Sequence, residues 1–145
     1  MDTERAMCEE STTPDLSDVW RRAIEAGNSR NVDSLMSFYA PDAVWEAMTG
    51  LGTHEGTAEI RRFFEDWLDA YEEFDVELEE ALDLGNGVAF GVVVQRGRPV
   101  GSTGSVQLRY ATTSIWVDGM IARQTNDIDI DEARAAAERL AQERG

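Results

Sequence analysis

The spacing of hydrophobic and polar residues changes from a helical to a strand period at about Phe74. Before this residue, apolar side chains recur at the spacing of one face of an α-helix. After it they alternate with polar side chains, as in a half-covered β-strand. The pattern predicts three helices, then a series of antiparallel strands, then a short C-terminal helix. Sequential antiparallel strands need one covered face, which only these helices can supply, so the predicted fold class is α+β.

The first two helices are bounded by capping and helix-breaking residues. Thr13 and Pro14 open the first helix, because a hydroxyl caps free amides and proline is tolerated at the first helical position. The pattern carries this helix to Gly27. Asn31 opens the second helix and Pro41 ends it, since proline disfavours helical backbone in the residue before it.

The third helix begins at Thr57 and carries the strongest amphipathic stripe in the chain. The residues of that stripe are Ile60, Phe63, Phe64, Trp67, Leu68 and Tyr71. Between the second and third helices we expect a short strand over residues 44–46 and a glycine-rich loop around His54.

The alternating region predicts four strands joined in part by tight turns. The strands cover residues 74–84, 88–96, 106–117 and 120–128. Asn86-Gly87 and Asp118-Gly119 are hairpin-turn signals, because both residues of such a turn adopt positive φ. Asp131 is expected to cap a final helix that runs through Leu140.

Length and composition indicate one soluble domain. A chain of 145 residues supports a single core; we assign residues 14–145 to it, after a disordered acidic tail over residues 1–13. The formal charge of −16 repels nucleic acid and anionic membranes. The chain shows neither the roughly 18 apolar residues of a membrane span nor a secretory signal. Cys8 is the only cysteine, so no internal disulfide can form, and we expect a cytoplasmic protein.

Motifs in three parts of the chain carry a family resemblance. They are residues 38–46 (FYAPDAVWE), Gly56 followed by a helix from Thr57, and residues 118–123 (DGMIAR) with Asp129. Their order and spacing resemble the SnoaL-like branch of the nuclear transport factor 2-like superfamily over about residues 16–141. The resemblance implies a cone-shaped barrel in which a curved antiparallel sheet packs on three N-terminal helices and leaves a pocket at the open end. It also implies a homodimer through the outer face of the sheet.

This superfamily mixes enzymes with non-catalytic proteins, so each chemistry has to be tested on the residues. Ketosteroid isomerisation needs a carboxylate base and donors for a dienolate oxygen. The resemblance places the base at Ala47, the tyrosine donor at Trp20 and the third group near Thr112 or Thr113. Neither a carboxylate nor a phenol stands at the first two positions, which argues against this activity.

Two further chemistries depend on the last strand. Asp129 matches the terminal aspartate of limonene-type epoxide hydrolases, but residues 88–95 lack the Arg-x-Asp that would complete their site. Polyketide cyclisation requires only one acid/base group in an apolar cavity. Arg123, Asp127 and Asp129 share one face of a regular strand, where Arg123 would keep an aspartate ionised. We therefore name these three as the candidate catalytic residues, unless the aspartates lie at the barrel mouth or cap the following helix.

Aromatic and polar side chains near the predicted pocket are candidate ligand contacts. They are Trp45, His54, Phe64, Thr112 and Trp116. Trp20 and Trp67 lie on helical stripes and are expected in the core. His54 is the only histidine, which argues against a zinc or facial-triad iron site, and we expect no metal or bound cofactor.

Two functions remain open from the sequence. In the first, the protein binds a small hydrophobic organic molecule and performs cofactor-independent acid/base chemistry of the isomerase, cyclase or hydrolase type. In the second, it is a non-catalytic ligand-binding or protein-interaction domain. If the protein is an enzyme, we expect an open cavity that Asp127 or Asp129 faces.

Overall fold

The computed structural model describes residues 16–46 and 52–145, which form four helices and six strands. The helices are α1 (Leu16–Asn28), α2 (Val32–Met36), α3 (Thr57–Asp69) and α4 (Ile130–Arg144). The strands are β1 (Tyr39–Glu46), β2 (Thr53–Glu55), β3 (Tyr71–Gly85), β4 (Val88–Pro99), β5 (Val106–Val117) and β6 (Met120–Asp127). The predicted acidic tail, Cys8, the helix opening at Thr13 and the position of Ala47 lie outside the described residues.

The strands of this part of the chain form one curved sheet in the order β2-β1-β6-β5-β4-β3. The α+β architecture predicted from the pattern and the resemblance is confirmed. The sheet is mixed rather than wholly antiparallel, because β1 runs parallel to β6. This pairing places Trp45 beside Gln124, although the two residues are far apart in the chain.

The two faces of the sheet are covered by different helices. On the inner face, α1, α2 and α3 pack over a core that includes Trp20, Trp45 and Ile121. On the outer face, the alanines of α4 pack on Val88 and Phe90. Strand β4 is therefore buried on both faces, which explains its nearly continuous apolar sequence. Helix α4 also occupies part of the outer face that the resemblance implied for a homodimer.

Gly91 allows α1 to approach the sheet closely. A Cβ atom at this position would lie 2.6 Å from Cη2 of Trp20 and 2.9 Å from the carbonyl oxygen of Glu80. Real Cβ atoms do not come so close to other heavy atoms, so the Trp20 ring occupies the space that any larger residue would need. The glycine in β4 therefore sets the depth of α1 against the inner face.

The two predicted hairpin turns are confirmed. Asn86 and Gly87 have φ of 57° and 81°, and Asp118 and Gly119 have φ of 54° and 81°. Positive φ at both central residues is the geometry whose twist matches that of antiparallel strands.

Several predicted boundaries were wrong. Helix α2 ends at Met36 rather than at Pro41, and β1 already begins at Tyr39. Pro41 falls where the pairing of β1 with β6 is interrupted, so its missing N–H costs no ladder bond. His54 lies in strand β2 rather than in a loop, paired with Trp45.

Two further errors concern the end of α3 and the start of α4. Tyr71 begins β3, where it packs its ring over Gly97, instead of ending the preceding helix. Helix α4 is capped by Asp129, whose carboxylate accepts a hydrogen bond from the Glu132 amide at 3.1 Å, and Asp131 stands in its first turn. Within the described residues, none of the helices combines the length and apolar character that a membrane span requires.

Candidate functional site

A cavity of about 90 Å³ lies between the helices and the inner face of the sheet. Helices α1 and α3 supply Trp20, Ala23 and Phe64, and the sheet supplies residues from β1, β3, β4, β5 and β6. Among the described residues that line the cavity, none is an aspartate, glutamate, histidine, lysine or arginine. The site is an apolar hollow with a few uncharged polar groups.

Stacked aromatic rings form one wall of the cavity. The Trp45 ring stacks on Phe64, with ring centroids 4.7 Å apart, and lies nearly parallel to Trp67 at 6.1 Å. Phe63 meets Trp45 edge-on at 4.7 Å. Because these rings hold one another in place, the wall is rigid and Trp45 has little freedom to turn.

Three polar atoms at the cavity are buried without a hydrogen-bond partner among the described residues. They are the indole Nε1 of Trp45, the hydroxyl of Thr112 and Oδ1 of Asn126. The residues are only 2%, 2% and 7% exposed. A buried polar group that lacks a partner destabilises the folded state, so such groups mark a place where a ligand or ordered water completes the bonding.

Two phenols point their hydroxyl groups at side-chain amides in the same lining. The Tyr39 hydroxyl donates to Oε1 of Gln124 at 2.7 Å, and the Tyr110 hydroxyl makes a longer bond of 3.4 Å to Oε1 of Gln95. Burial raises the pKa of both phenols above the ordinary tyrosine value. They are therefore neutral hydrogen-bond donors rather than bases near neutral pH.

The structure brings three of the five predicted ligand contacts to the cavity. Trp45, Phe64 and Thr112 line it. Trp116 is instead packed in the core, where its Nε1 donates to the Ser114 hydroxyl at 2.8 Å. His54 lies against the Phe63 ring, with centroids 4.4 Å apart, and is not part of the described lining.

The three candidate catalytic residues lie away from the cavity. Asp127 is the β6 partner of Ala111, which packs under α4, so both residues belong to the outer face. The Asp127 carboxylate accepts from the backbone amide of Asp129 at 2.9 Å, and Asp129 caps α4. Arg123 is an exposed residue that forms an ion pair with Glu46. The expectation that either aspartate faces the cavity is corrected by this placement.

Strand β6 presents its other set of residues to the cavity. Gln124 and Asn126 face inward, whereas Arg123 and Thr125 bond to Glu46 on the outer face. Charged side chains go to the wetted face because burying an unpaired charge is costly. The sequence itself indicates which residues face inward, because the inward positions of the strand are uncharged amides and the alternate positions are not.

Sequence reasoning missed Gln124 and Asn126, together with Tyr39 and Gln95 of the same lining. For the last two, no local pattern distinguishes an inward polar residue from an ordinary strand position. In the described parts of the chain, no group of three or more His, Cys, Asp or Glu residues is arranged to hold a metal ion.

Comparison with known proteins gives one family match. A family model described as SnoaL-like domain matches residues 20–124. None of the curated proteins matches the sequence.

Solved structures share the fold. TerC, co-crystallised with polyporic acid, is 16% identical, with a TM-score of 0.70 over 87% of this chain and 99% of its own. A protein with a ketosteroid isomerase-like fold from Catenulispora acidiphila, in complex with trimethylamine, is 18% identical, with a TM-score of 0.67 over 79% and 85%. A candidate polyketide cyclase from Sinorhizobium meliloti is 28% identical, with a TM-score of 0.61 over 75% and 93%.

Proposed function

The chain belongs to the SnoaL-like domain family, and we propose that its function is to bind a small, uncharged, largely apolar organic molecule in the cavity. The observation that carries this proposal is the composition of the lining, which is aromatic and aliphatic with uncharged polar groups only. Transferring an ion into such a lining without a counter-charge is strongly unfavourable, whereas a neutral apolar molecule gains from leaving water.

The size of the cavity limits the bound part of the ligand. At about 90 Å³ the cavity is smaller than the engineered apolar cavity of about 150 Å³ that binds benzene, yet it exceeds the roughly 10–15 Å³ that one water needs. The ligand is thus a compact molecule, or one compact end of a larger molecule that extends past half-buried lining residues such as Ile24 and Phe74.

Fold relatives with bound organic molecules support the part of this proposal that a small organic molecule binds in the fold. One was crystallised with polyporic acid and another with trimethylamine. A small cation bound by aromatic faces is a less favoured ligand here, because cation–π binding requires an open ring face. The Trp45 ring instead stacks with Phe64 and Trp67.

The proposal assigns ligand contact to Trp45, Phe64 and Thr112, and adds Gln124 and Asn126. It assigns no catalytic step to Asp127, Asp129 or Arg123, because these residues lie on the outer face or at the end of α4. Binding rather than acid/base turnover is therefore the function that the geometry favours.

A cavity-filling substitution tests the proposal. Thermal unfolding would be measured with butanone, isobutyrate and isobutylammonium, for the wild type, Ala23→Leu and Ala135→Leu. Ala23 is a small buried residue of the lining, and Ala135 is an exposed alanine on α4. Butanone should stabilise the wild type and Ala135→Leu, by about 2.7 kcal/mol at roughly 100 times its Kd. Neither ion should do so.

In Ala23→Leu the added side chain occupies the cavity, so the stabilisation by butanone should disappear while the protein stays folded. If butanone stabilises Ala23→Leu as much as the wild type, it binds to another part of the molecule and the proposal is refuted. Stabilisation by isobutyrate or isobutylammonium alone would overturn the uncharged ligand class.

A further inference from the structure

We propose that the cavity recognises a ligand that carries a carbonyl-type hydrogen-bond acceptor and a hydroxyl or N–H donor, which pair with Trp45 at one end and with Thr112 and Asn126 at the other. This inference deepens the proposed function and rests on it. It is carried by the unpartnered atoms of these three residues, each more than nine-tenths buried in the cavity lining.

The three residues stand on adjacent strands of the sheet. Thr112 of β5 lies directly opposite Asn126 of β6, and Trp45 of β1 lies opposite Gln124, two residues earlier in β6. Neighbouring strands are about 4.8 Å apart, so Thr112 and Asn126 form a close pair. Trp45 stands two strands away from Thr112 and is also offset from it by two residues along the sheet. The residues that carry the unpartnered atoms therefore form two separate groups, Trp45 in one and Thr112 with Asn126 in the other.

The chemistry of each group determines what the ligand must offer. An indole N–H only donates, so the ligand needs an acceptor at Trp45. The free oxygen of Asn126 accepts, and the Thr112 hydroxyl both donates and accepts, so this end requires a donor and tolerates an acceptor. A carbonyl next to a hydroxyl-bearing carbon supplies both functions without a charge.

The neighbouring amides strengthen this assignment because they are already engaged. Oε1 of Gln124 accepts from Tyr39, and Oε1 of Gln95 accepts from Tyr110. Both of these amide oxygens are satisfied within the protein, whereas the three unpartnered atoms belong to other residues of the same lining. Buried polar groups that a ligand completes are also strong sources of specificity, since an analogue without the matching group leaves them unpaired.

Three probes with the same number of non-hydrogen atoms separate the possibilities. Hydroxyacetone carries both a carbonyl and a hydroxyl, butanone replaces the hydroxyl by a methyl group, and glycolate is the charged counterpart. Binding is followed by NMR through the indole N–H signal of Trp45, assigned with Trp45→Phe, and through the side-chain amide signals of Asn126. Hydroxyacetone should bind about tenfold more tightly than butanone and should shift both signals. Glycolate should not bind.

Thr112→Val and the matched Thr113→Val identify the polar contact. Thr113 is the next residue of β5, half-buried on the opposite face. Thr112→Val should reduce the preference for hydroxyacetone over butanone severalfold, whereas Thr113→Val should leave it unchanged.

The possible failures of the inference and of the proposed function are distinct. If butanone and hydroxyacetone bind with equal affinity, and Ala23→Leu abolishes the binding of both, the inference is overturned. The proposed binding of an apolar molecule in the cavity is then still supported. Equal preference in Thr112→Val and the wild type would also overturn the inference. If no probe shifts any signal of a lining residue, the proposed function fails as well.

Discussion

The side-chain amide of Asn28 bonds to both backbone groups of Val76, and so joins the end of α1 to β3. Its Nδ2 donates to the Val76 carbonyl oxygen at 2.9 Å, and its Oδ1 accepts from the Val76 N–H at 2.8 Å. Strand β3 lies at the edge of the sheet, where backbone groups otherwise lack a neighbouring strand. Val76 also lines the cavity, so this pair of bonds holds one wall of the site.

Asn28→Ala should therefore destabilise the protein by about 1–3 kcal/mol, because both backbone groups of Val76 lose their partner. The free energy of unfolding from urea denaturation gives the total effect. Hydrogen exchange locates it: the Val76 amide should exchange faster relative to amides in the centre of β4. Ser29→Ala, an exposed change at the next residue, is the control. An unchanged exchange rate at Val76 in Asn28→Ala would contradict the assigned role.

Thr112→Val should stabilise the ligand-free protein by about 1 kcal/mol. The substitution keeps the shape of the side chain and removes a buried hydroxyl without a partner, so its desolvation no longer opposes folding. Thermal and urea unfolding measure the difference, with Thr113→Val as the reference. A loss of stability in Thr112→Val would mean that an ordered water satisfies this hydroxyl.

Gly91→Ala should destabilise the protein by about 1–3 kcal/mol, because the new methyl group collides with the Trp20 ring and the Glu80 carbonyl. The shift of α1 needed to relieve the collision should also change the near-ultraviolet circular dichroism. Gly104→Ala provides the control, since a Cβ there meets only the Ser102 hydroxyl at 3.9 Å. Wild-type stability in Gly91→Ala would show that α1 is not packed at this depth.

The protein should lose stability at alkaline pH through its buried phenols. Burial raises the pKa of Tyr39 and Tyr110 in the folded state above the value of about 10 in the unfolded chain. Below pH ~10 both states keep the protons and the stability is fully present. As the pH rises further, only the unfolded chain releases them, so unfolding becomes easier by at most about 1.4 kcal/mol per pH unit for each phenol.

Tyr39→Phe should remove one phenol's share of this pH dependence, which urea denaturation between pH 8 and 11 would measure (from roughly two units below to one unit above the ordinary tyrosine pKa). At neutral pH it should cost about 1–2 kcal/mol, because Oε1 of Gln124 loses its donor. Tyr71→Phe makes the same change at a half-buried tyrosine. An alkaline slope identical in Tyr39→Phe and the wild type would refute the prediction.

Local signals in the sequence were sufficient for most elements. The order of helices and strands and the two turns with positive φ follow from periodicity and turn residues. The errors arose where a distant part of the chain overrides local preference. Tyr39 begins a strand because it pairs with Ile121 of β6, and His54 becomes a strand residue because it pairs with Trp45.

The candidate site was predictable only in part for the same reason. Trp45, Phe64 and Thr112 were identified as ligand contacts from the residues and the resemblance, and all three line the cavity. The charged residues of β6 were taken as the inner wall, but alternation alone does not say which of two faces is buried. Which alternate residues of β6 face the cavity depends on the cross-strand register, which pairs Thr112 with Asn126 and Ala111 with Asp127.

The sequence by itself determined the fold class, since helix and strand periods, caps and turns are properties of neighbouring residues. Only the tertiary structure determined which residues line the cavity. Its three unpartnered groups come from β1, β5 and β6, whose pairing joins parts of the chain distant in sequence. The free energy that selects this arrangement, which buries uncharged amides and leaves the charged residues in water, depends on contacts that no local stretch contains.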